Sequence, residues 1–470
     1  MKNLLILGAG EAGRMVAKDI LLNKNISKKY NLLGFLDDDP AKKSIDNLFV
    51  LDKISNAKKV IEENRVDEVI IAIPSASKEV INKIINSLQN TGVNIKIVPG
   101  LYEIIEGKVK LNQIRNIEPT DLLGREEVGF DLEKIIPFYK DKTIFVTGAG
   151  GSIGSEIFLQ LLELPVKKVI AFGHGENSIH SLIVKVGKDK RFNYVIGDVK
   201  DFSKMKYELD KFKPDIIFHA AAHKHVPLME NFPDEAVKNN ILGTYNCALA
   251  AIDCGIKRFI LVSTDKAVNP TSVMGATKRI AEKIILSLNK CQQKTKFQLT
   301  RFGNVLGSRG SVIPIFKEQI ENGGPITVTD ENITRFFMSI REAARLVIKS
   351  ASLDNGNIFV LDMGKPVKII DLARNLIKLY GYNESDIQIV ITGIRPGEKL
   401  YEEILTNKEN LSKSKFDKLF ISAEEENVLK EEDLTKMIEE FRFEANNFSK
   451  TQIKKLIKKY IPEFQGNIDE

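Results

Sequence analysis

Short apolar runs alternate with helical patterns along most of the chain. In the first part of the sequence, four runs have the apolar composition of buried parallel strands: residues 3–7, 32–36, 68–73 and 94–98. Amphipathic helical spacing lies between them, at residues 12–22, 57–64 and 78–91. This alternation predicts a small, doubly wound α/β domain of nucleotide-binding type over residues 1–110.

A second series of strands starts after residue 142. Its runs are residues 143–147, 168–172, 194–196, 216–219, 258–262 and 298–301. They predict a second Rossmann-like domain over residues 143–423, with a small mixed α/β lobe from about residue 305, where the strands become scattered. The predicted fold class is therefore α/β, with two Rossmann-like doubly wound parallel-sheet domains.

Two further segments complete the predicted organisation. Residues 111–142 are polar and irregular and contain Pro119 and Pro137, so they are interpreted as a linker. Residues 424–470 are rich in Lys, Glu and Asn. Their apolar residues have helical spacing, which predicts a helical C-terminal tail on the surface: Leu429, Leu434, Met437 and Ile438.

The composition is that of a soluble globular protein. Hydrophobic residues make up 43% and charged residues 28% of the 470, and the net charge of +6 is spread over 69 basic and 63 acidic side chains without a long basic block. Nucleic acid is therefore not an expected partner. The cysteines are odd in number and form no CxxC pair, so neither disulfides nor a metal site is predicted: Cys247, Cys254 and Cys291. No apolar run approaches the roughly 20 residues of a membrane span, and a cytoplasmic location is expected.

A first glycine-rich loop follows the first predicted strand. Residues 8–13 (GAGEAG) have GxGxxG spacing, and Asp37 ends the next strand, where a ribose-binding acid would lie. Glu11 would place a negative charge near bound phosphates. The loop is therefore open to three interpretations: a cofactor site, a regulatory nucleotide site, or glycines kept for packing.

A second glycine-rich loop follows the strand at residues 143–147. Residues 147–154 (TGAGGSIG) place Gly148, Gly151 and Gly154 in GxxGxxG spacing, which resembles the variant found in extended short-chain dehydrogenases. Three signals agree with cofactor binding here. Asp198 could hydrogen-bond the adenine amino group, and residues 220–222 (AAA) leave space for the cofactor after the fourth strand. Asn240 is expected to tie adjacent strands together. The predicted cofactor-binding residues are Gly148, Gly151, Ser152, Ile153, Gly154, Glu176, Asp198, Val199, Ala220, Ala221, Ala222, Asn240, Ser263 and Lys278.

The choice between NAD and NADP depends on the end of the second strand. Glycine stands there in place of an NAD-selecting Asp, in residues 172–176 (FGHGE). Glu176 favours NAD because it could reach the ribose hydroxyls, whereas His174 could accept the 2′-phosphate of NADP. We expect NAD, with NADP as the alternative.

The segment with the clearest chemistry is residues 263–278. Thr264, Asp265 and Lys266 end a predicted strand, and Met274 and Lys278 lie one helical turn apart if a helix starts near residue 273. The segment resembles the catalytic strand and helix of a short-chain dehydrogenase in which methionine replaces the usual tyrosine. The proton chemistry would then pass to Asp265 and Lys266, the alternative being a solvated turn with a local ion pair.

Four segments together resemble the nucleoside-diphosphate-sugar 4,6-dehydratases of bacterial glycan biosynthesis: residues 220–230, 263–278, 301–308 and 395–400. The similarity is greatest to the large UDP-N-acetylglucosamine 4,6-dehydratases, and it extends to residues 34–40 and 121–125. Those enzymes usually carry transmembrane helices before the first Rossmann-like domain, and this chain has none. It is therefore expected to be either a soluble version or the cytosolic part of an inner-membrane protein. A homo-oligomer is also expected.

This resemblance implies roles for the catalytic segment. Lys266 would be the base at C5 of the sugar, Asp265 the acid at O6, and Thr264 a hydrogen-bonding group near O4. A lysine must be neutral to act as a base, which burial and a neighbouring Lys278 cation would favour. Met274 cannot exchange a proton, so the O4 proton would leave through Asp265, Thr264 or water, with Asp265 preferred.

The resemblance also implies a UDP-sugar as substrate, UDP-N-acetylglucosamine or a similar one. Arg335 and Arg395 are predicted to clamp the diphosphate and Glu398 to hold the uridine ribose. The residues predicted to line the sugar site are Lys224, His225 and Asn304. Related dehydratases that invert C5 keep the tyrosine, so retention is expected. The alternatives are a nucleotide-sugar epimerase and a non-catalytic nucleotide sensor or scaffold.

Overall fold

The computed structural model describes residues 1–46, 48–88, 91–98, 115–116, 129, 131–405, 410–423 and 428–468. Most of the predicted linker, the segment 121–125 and the start of the predicted tail lie outside these residues and stay predictions. The chain folds into two compact units. The first comprises Met1–Gly129, Ile315–Thr327 and Asp371–Val390, and the second comprises Phe130–Pro314, Val328–Ile370 and Ile391–Glu470.

The first unit contains a seven-stranded sheet. Its strands are β1 (Lys2–Leu7), β2 (Tyr30–Leu36), β3 (Ser44–Ile45), β4 (Leu48–Asp52), β5 (Glu68–Ile71), β6 (Asn94–Ile97) and β7 (Arg115–Asn116), in the order β3-β4-β2-β1-β5-β6-β7. Its helices are α1 (Glu11–Leu22), α2 (Lys24–Ser27), α3 (Ala57–Asn64) and α4 (Lys78–Ser87), with a 3₁₀ turn at Ile54–Asn56. The four central strands are parallel and are those that the apolar runs predict. The short edge strands β3 and β7 pair antiparallel.

The second unit is built on a nine-stranded sheet. Its strands are β8 (Thr143–Thr147), β9 (Lys168–Gly173), β10 (Phe192–Ile196), β11 (Ile216–His219), β12 (Arg258–Val262), β13 (Lys296–Arg301), β18 (Ile358–Leu361), β21 (Leu411–Lys413) and β22 (Leu419–Ser422). The order is β10-β9-β8-β11-β12-β13-β18-β22-β21, parallel as far as β18. The strand order reverses between β8 and β11, and ligands of such sheets bind at the carboxyl ends there. The predicted α/β class is confirmed.

Helices and short strands complete the chain. The helices are α5 (Leu132–Tyr139), α6 (Ser152–Leu162), α7 (Glu176–Val186), α8 (Phe202–Phe212), α9 (Val226–Asn231), α10 (Pro233–Ala236), α11 (Gly243–Asp253), α12 (Val273–Cys291), α13 (Val312–Glu321), α14 (Ile340–Ala351), α15 (Ile369–Leu379), α16 (Glu431–Asn446) and α17 (Lys450–Tyr460), with a π-helical turn at Val237–Leu242 and a 3₁₀ turn at Asp265–Ala267. The short strands are β14 (Asn304–Val305), β15 (Ile326–Val328), β16 (Thr334–Arg335), β17 (Phe337–Met338), β19 (Val367–Lys368) and β20 (Ile389–Ile391). None of the helices in the described ranges is long and apolar enough to cross a membrane.

The C-terminal helices belong to the core of the second unit. Leu434, Met437 and Phe441 of α16 are buried in the same hydrophobic cluster as Ile280 and Ile284 of α12. The expected surface position is therefore wrong, although the segment is helical. Periodicity shows that a helix has an apolar face, but what covers that face is decided by tertiary packing.

Candidate active site

The loop after β8 has the geometry of a phosphate-binding turn. Gly148 has a φ of +64°, and a Cβ there would come 2.7 Å from the Ala220 carbonyl. A Cβ on Gly154 would overlap the carbonyl oxygen of Gly148. Helix α6 starts at Ser152, and its N-cap, Gly151, supplies no side-chain acceptor, so the first-turn N–H groups, including that of Ile153, face no capping side chain. The loop therefore fits the pyrophosphate of a dinucleotide.

A second loop lies against this turn. The backbone N–H of Arg309 donates to the Ser152 hydroxyl oxygen at 3.1 Å, and the Arg309 guanidinium donates to the carbonyl oxygen of Gly150. The next residue, Gly310, has a φ of +67° and packs on the ring of His225, where a Cβ would come within 2.6 Å. A cation therefore lies beside the glycine-rich turn.

Lys224 is a second cation near this loop. Its ammonium donates to the Ser308 hydroxyl at 3.3 Å. Burial lowers the pKa of Lys224, and the Arg309 and Lys266 cations lower it further. In the described part of the chain, neither Lys224 nor Arg309 forms an ion pair with a carboxylate. Their charges are therefore available to an anionic ligand.

The residues predicted for the adenosine end lie at the carboxyl ends of β9 and β10. Glu176 is the first residue of α7 and is exposed. The Asp198 carboxylate accepts a hydrogen bond from the Lys200 backbone N–H at 2.9 Å. Val199 is buried against Gly243, and a Cβ on Gly243 would come 2.8 Å from Val199 Cγ2. The glycine-rich turn after β8 and the residues predicted for the adenosine therefore lie at the same, carboxyl-terminal end of the parallel strands.

Asn240 has a different partner from the one expected. It lies in the turn Val237–Leu242, accepts the backbone N–H of His223 at 2.8 Å, and donates to the His223 carbonyl at 3.0 Å and to the Thr277 hydroxyl at 3.1 Å. It thus ties the loop after β11, which contains residues 220–222, to helix α12. The expectation that it ties adjacent strands is wrong, because its turn packs on a helix.

The segment predicted to be catalytic forms a tight 3₁₀ turn at Asp265–Ala267, after β12. The Thr264 hydroxyl donates to Asp265 Oδ1 at 2.9 Å, and the Lys266 ammonium donates to the same oxygen at 3.1 Å. Asp265 is fully buried, and its Oδ2 has no hydrogen-bond partner among the described residues. Burial raises the pKa of Asp265, and the Glu402 carboxylate raises it further, against the opposing effects of Lys266 and Thr264. Asp265 is thereby suited to carry a proton.

Lys266 is held by three acceptors. Besides Asp265, its ammonium donates to Asn304 Oδ1 at 2.9 Å and pairs with Glu402 Oε1 at 3.2 Å. Burial acts to lower the pKa of Lys266, but the Asp265 and Glu402 carboxylates outweigh it, and the net pKa is raised. Burial therefore acts in the expected direction, toward a neutral amine, but the second carboxylate that lies against Lys266 helps to reverse the net effect.

Helix α12 begins at Val273, as its spacing predicts, and Ser272 caps it through its hydroxyl. The Lys278 ammonium donates to the Val262 carbonyl at 2.8 Å. Burial lowers the pKa of Lys278 to about 8, with Glu282 opposing. Met274, one turn earlier, is 3% exposed and belongs to the hydrophobic core. The position where a tyrosine is usual thus carries an apolar, non-titrating side chain.

Ser263 is turned toward a buried ion cluster. Its hydroxyl donates to Glu282 at 2.6 Å, and that carboxylate also accepts two hydrogen bonds from Arg301, at 2.8 and 2.7 Å. Arg301 and Arg279 outweigh the effect of burial and lower the pKa of Glu282 to about 2. The Ser263 hydroxyl therefore fastens the end of β12 to α12 instead of facing a cofactor.

Three of the six predicted substrate residues, Arg335, Arg395 and Glu398, line a cavity of about 130 Å³. Its lining residues are Val226, Pro227, Lys266, Thr271, Ser272, Arg335, Arg395, Gly397, Glu398, Lys399 and Glu402. Four of these are cationic and two are anionic, which suits an anionic ligand. Asn304 adjoins the cavity through its contact with Lys266. Lys224 and His225 lie instead beside the loop that carries Arg309.

Carboxylates already pair with the predicted clamp. Arg335 Nη2 lies 3.4 Å from Glu398 Oε1, and Arg335 Nε lies 3.7 Å from Glu402 Oε1. Glu398 also accepts the Arg395 backbone N–H at 3.3 Å. Burial acts to raise the pKa of Glu402, but Lys266 and Arg335 lower it more, and the net pKa is lowered. A diphosphate at Arg335 would compete with these carboxylates.

Sequence reasoning missed two residues of this site. Glu402 lies in a charged run after Glu398, which has the pattern of a solvated surface, yet it is buried. Arg309 lies one residue beyond the segment 301–308 that carries the family resemblance. The only signal for Glu402 was its position four residues after Glu398, and for Arg309 its place between Gly307 and Gly310.

In the first unit, Asp37 forms its hydrogen bonds with the glycine-rich loop and with a lysine of the same unit. Asp37 Oδ2 accepts the Ala9 backbone N–H at 2.7 Å and the Lys42 ammonium at 3.1 Å. Burial acts to raise the pKa of Asp37, but hydrogen bonds from Asp39, Ala9 and Lys42 lower it overall. A carboxylate with these partners stabilises the loop on its own, so the geometry agrees with glycines kept for packing as well as with a nucleotide site.

Comparisons with known proteins place the chain in a family. Residues 144–424 match the family described as polysaccharide biosynthesis protein, and residues 1–99 match one described as CoA-binding domain. The chain is 44% identical over 463 residues to the capsular polysaccharide biosynthesis protein CapD of Staphylococcus aureus, covering 97% of this chain and 76% of that protein. It is 49% identical over 424 residues to the probable polysaccharide biosynthesis protein EpsC of Bacillus subtilis, covering 89% and 70%.

Two shorter relatives match a little over half of the chain. A UDP-N-acetylglucosamine 4,6-dehydratase (inverting) of Campylobacter jejuni is 34% identical, and a UDP-glucose 4-epimerase of Rickettsia rickettsii is 33% identical. Each alignment covers 58% of this chain and 80% of the relative.

Solved structures share the fold. Pen from Bacillus thuringiensis has a TM-score of 0.56 at 34% identity and covers 64% of this chain and 98% of its own. The dTDP-glucose 4,6-dehydratase DesIV from Streptomyces venezuelae has a TM-score of 0.51 at 23% identity, covering 56% and 87%, which is a likeness of fold. With a family match over 144–424 and a relative aligned along nearly the whole chain, the chain belongs to the polysaccharide biosynthesis protein family.

Proposed function

We propose that this chain is a nicotinamide-dependent UDP-N-acetylglucosamine 4,6-dehydratase that forms a UDP-4-keto-6-deoxy-N-acetylhexosamine with the C5 configuration retained. One observation carries the proposal: the buried Asp265 carboxyl and the Lys266 ammonium lie 3.1 Å apart beside a cationic cavity at the carboxyl end of β12. Such a pair supplies the acid and the base that loss of water from C5 and C6 requires. The name of the Campylobacter jejuni relative agrees with the substrate and with the 4,6-dehydratase reaction, but it is an inverting enzyme, so the retention at C5 rests on Met274 alone.

The cofactor is assigned to the glycine-rich turn after β8. A turn that excludes Cβ atoms, and an uncapped start of α6, fit a pyrophosphate, while Lys278 is placed beside the catalytic strand to hold the nicotinamide ribose. When bound, the nicotinamide would take a hydride from C4 of the sugar and return it to C6. Glu176 at the start of α7 favours NAD over NADP.

The protein's own groups move the protons. Lys266 must lose a proton before it can accept one from C5, and Asp265 Oδ1, with its raised pKa, is the nearest receptive oxygen. The transfer breaks an N–H bond of Lys266 and forms an O–H bond on Asp265. It leaves a neutral amine for C5 and a carboxylic acid for O6. Since Asp265 then already holds a proton, and the Thr264 hydroxyl donates to that same carboxyl, the O4 proton passes to water, not to Asp265 as preferred from the sequence.

Product analysis tests the proposal. The protein is incubated with UDP-N-acetylglucosamine in deuterated water, and the sugar is followed by NMR. We expect a 4-keto-6-deoxy sugar with deuterium at C5 and retained configuration. Absence of this sugar would overturn the dehydratase assignment, and an inverted C5 would overturn only the retention, which rests on Met274. Lys266→Ala should abolish turnover while the bound cofactor remains, since Lys266 touches the sugar cavity and not the glycine-rich turn.

A nucleotide-sugar 4-epimerase is the second candidate. The epimerase relative matches the same share of the chain at similar identity. The absence of a titrating side chain at Met274 argues against it, because epimerisation needs a group that exchanges the O4 proton on either face. The same NMR experiment separates the two, since an epimerase yields a 4-epimer that keeps its C6 hydroxyl.

A further inference from the structure

Glu402 lies between the Lys266 ammonium and the Arg335 guanidinium in the cavity. Its side chain is 3% exposed, and its Oε1 lies 3.2 Å from Lys266 Nζ and 3.7 Å from Arg335 Nε. Its Oε2 has no hydrogen-bond partner in the part of the chain that the structure describes. We propose that Glu402 is a positioning residue that fixes the Lys266 ammonium and governs proton exchange between Lys266 and Asp265. The inference rests on the proposed dehydratase function and deepens it.

The geometry explains the positioning. An ammonium has three N–H groups, and Lys266 has three acceptors: Asp265 Oδ1, Asn304 Oδ1 and Glu402 Oε1. The three oxygens fix the direction of the amine beside the cavity. A flexible lysine side chain loses much rotamer freedom when it is held, so a charged acceptor is needed to keep it there. Removing Glu402 would leave two acceptors, only one of them charged.

The electrostatics explain the control of the proton. A carboxylate raises the proton affinity of every group near it, and Glu402 raises the pKa of both Asp265 and Lys266. The charged groups that face this trio include the cations Arg335, Lys399 and Lys224, and the Glu398 carboxylate, which pairs with Arg335. Burial acts to raise the pKa of Glu402, but Lys266, Arg335 and Lys399 lower it and favour the ionised form. Glu402 is therefore the constant negative charge against which the other two titrate.

The effect of Glu402 on these two proton affinities predicts the direction in which the pH dependence of turnover should shift when Glu402 is replaced. The active form is the Asp265–Lys266 pair with one proton, which sits on Asp265 in the reacting tautomer. Turnover falls on the acid side when the pair gains a second proton and on the alkaline side when it loses its last. Because Glu402 raises both proton affinities, Glu402→Gln should move both limbs of the kcat profile toward lower pH. We expect a shift of about one pH unit and a fall in kcat of about 10- to 100-fold at the optimum.

The experiment compares kcat and KM across pH for the wild type, Glu402→Gln, Glu402→Asp and Glu403→Gln. Glu403 is the matched control, because it is the adjacent residue, is exposed, and pairs with Lys399 and Asn269 outside the Lys266 contacts. The control should keep the wild-type profile. Glu402→Asp keeps the charge and should restore both limbs toward the wild-type positions even if its kcat stays low.

The outcomes separate this inference from the proposed function. If the wild type yields no 4-keto-6-deoxy sugar, the proposed function fails. If the wild type is active and Glu402→Gln lowers kcat without moving either limb, Glu402 has only a structural role and the inference is overturned. A wild-type kcat in Glu402→Gln overturns it too. If Glu402→Gln does not fold, the limbs of Glu402→Asp decide, because a longer distance to Lys266 should still move both toward lower pH, by less.

Discussion

The buried ammonium of Lys278 donates a 2.8 Å hydrogen bond to the carbonyl oxygen of Val262, the last residue of β12. This contact joins α12 to the end of β12 by a single hydrogen bond from a lysine that is 5% exposed. The contact costs free energy, because the charge is taken out of water and none of the described carboxylates lies at hydrogen-bonding distance from it. The cost makes the stability of the protein depend on pH.

The first prediction concerns that dependence. Burial lowers the pKa of Lys278 from 10.5 in the unfolded chain to about 8 in the folded protein. Below pH 8 Lys278 is protonated in both the folded and the unfolded state, so the folded state bears the full free-energy cost of the buried charge. Between pH 8 and 10.5 the unfolded state binds more protons than the folded state, so the free energy of unfolding rises with pH. Lys278→Met removes this rise. Its advantage in free energy of unfolding over the wild type should be greatest below pH 8 and shrink by up to about 3 kcal/mol by pH 10.5.

Urea denaturation of nucleotide-free protein at several pH values measures this difference. Lys290→Met, on the exposed side of the same helix, controls for loss of a surface lysine. An advantage of Lys278→Met that stays constant from pH 7 to 10.5 would contradict the prediction, since it would mean that Lys278 titrates alike in both states.

The second prediction concerns Met274. A thioether cannot exchange a proton, so the side chain contributes packing alone, and leucine conserves its volume. Met274→Leu should lower kcat by no more than about tenfold, far less than Lys266→Ala, and should cost less than about 1.5 kcal/mol of stability. Met229→Leu, in the same hydrophobic cluster and also buried, is the matched control for stability. A loss of turnover in Met274→Leu as large as that in Lys266→Ala would show that the sulfur has a role in the reaction.

The third prediction concerns Arg309. Its guanidinium contacts the Gly150 carbonyl and its backbone the Ser152 hydroxyl, which places a cation without a carboxylate partner, among the described residues, at the glycine-rich turn. A charge-assisted hydrogen bond to a pyrophosphate is worth about 1.5–3 kcal/mol. Arg309→Gln should therefore weaken cofactor binding by roughly 10- to 100-fold. Calorimetric titration of nucleotide-free protein with the cofactor measures the change.

The control for Arg309 is Lys188→Gln, an exposed lysine far along the chain from the turn. It should bind the cofactor as the wild type does. Equal affinity of Arg309→Gln and the wild type would remove Arg309 from the cofactor site, whereas an unchanged affinity for NAD with a weakened one for the UDP-sugar would move its role to the substrate diphosphate.

The sequence was informative where function depends on neighbours in the chain. The turn at 148–154 and the pair Asp265–Lys266 are local patterns, and the spacing of glycines or the end of a strand is enough to place them. Glu402 and Arg309 were missed because their roles depend on contacts with residues distant in sequence. The same limit applies to the pKa of Lys266: the effect of burial was predicted, but the Glu402 carboxylate that opposes it comes from a distant part of the sequence.

The fourth prediction concerns the C-terminal helices. Phe441 is fully buried in the cluster that contains the inner face of α12, whereas Phe443, two residues later on the same helix α16, is 64% exposed. Truncating a buried phenylalanine removes its contacts and leaves a cavity, which costs about 3–5 kcal/mol. Phe441→Ala should therefore lower the free energy of unfolding of the second unit by about that amount, and Phe443→Ala should change it by less than about 0.5 kcal/mol. Because α12 also carries Lys278, Phe441→Ala should weaken cofactor binding at temperatures at which the wild type is still folded. Urea denaturation of the two variants decides between a packed element and a surface tail, and equal, small losses for both would restore the surface interpretation.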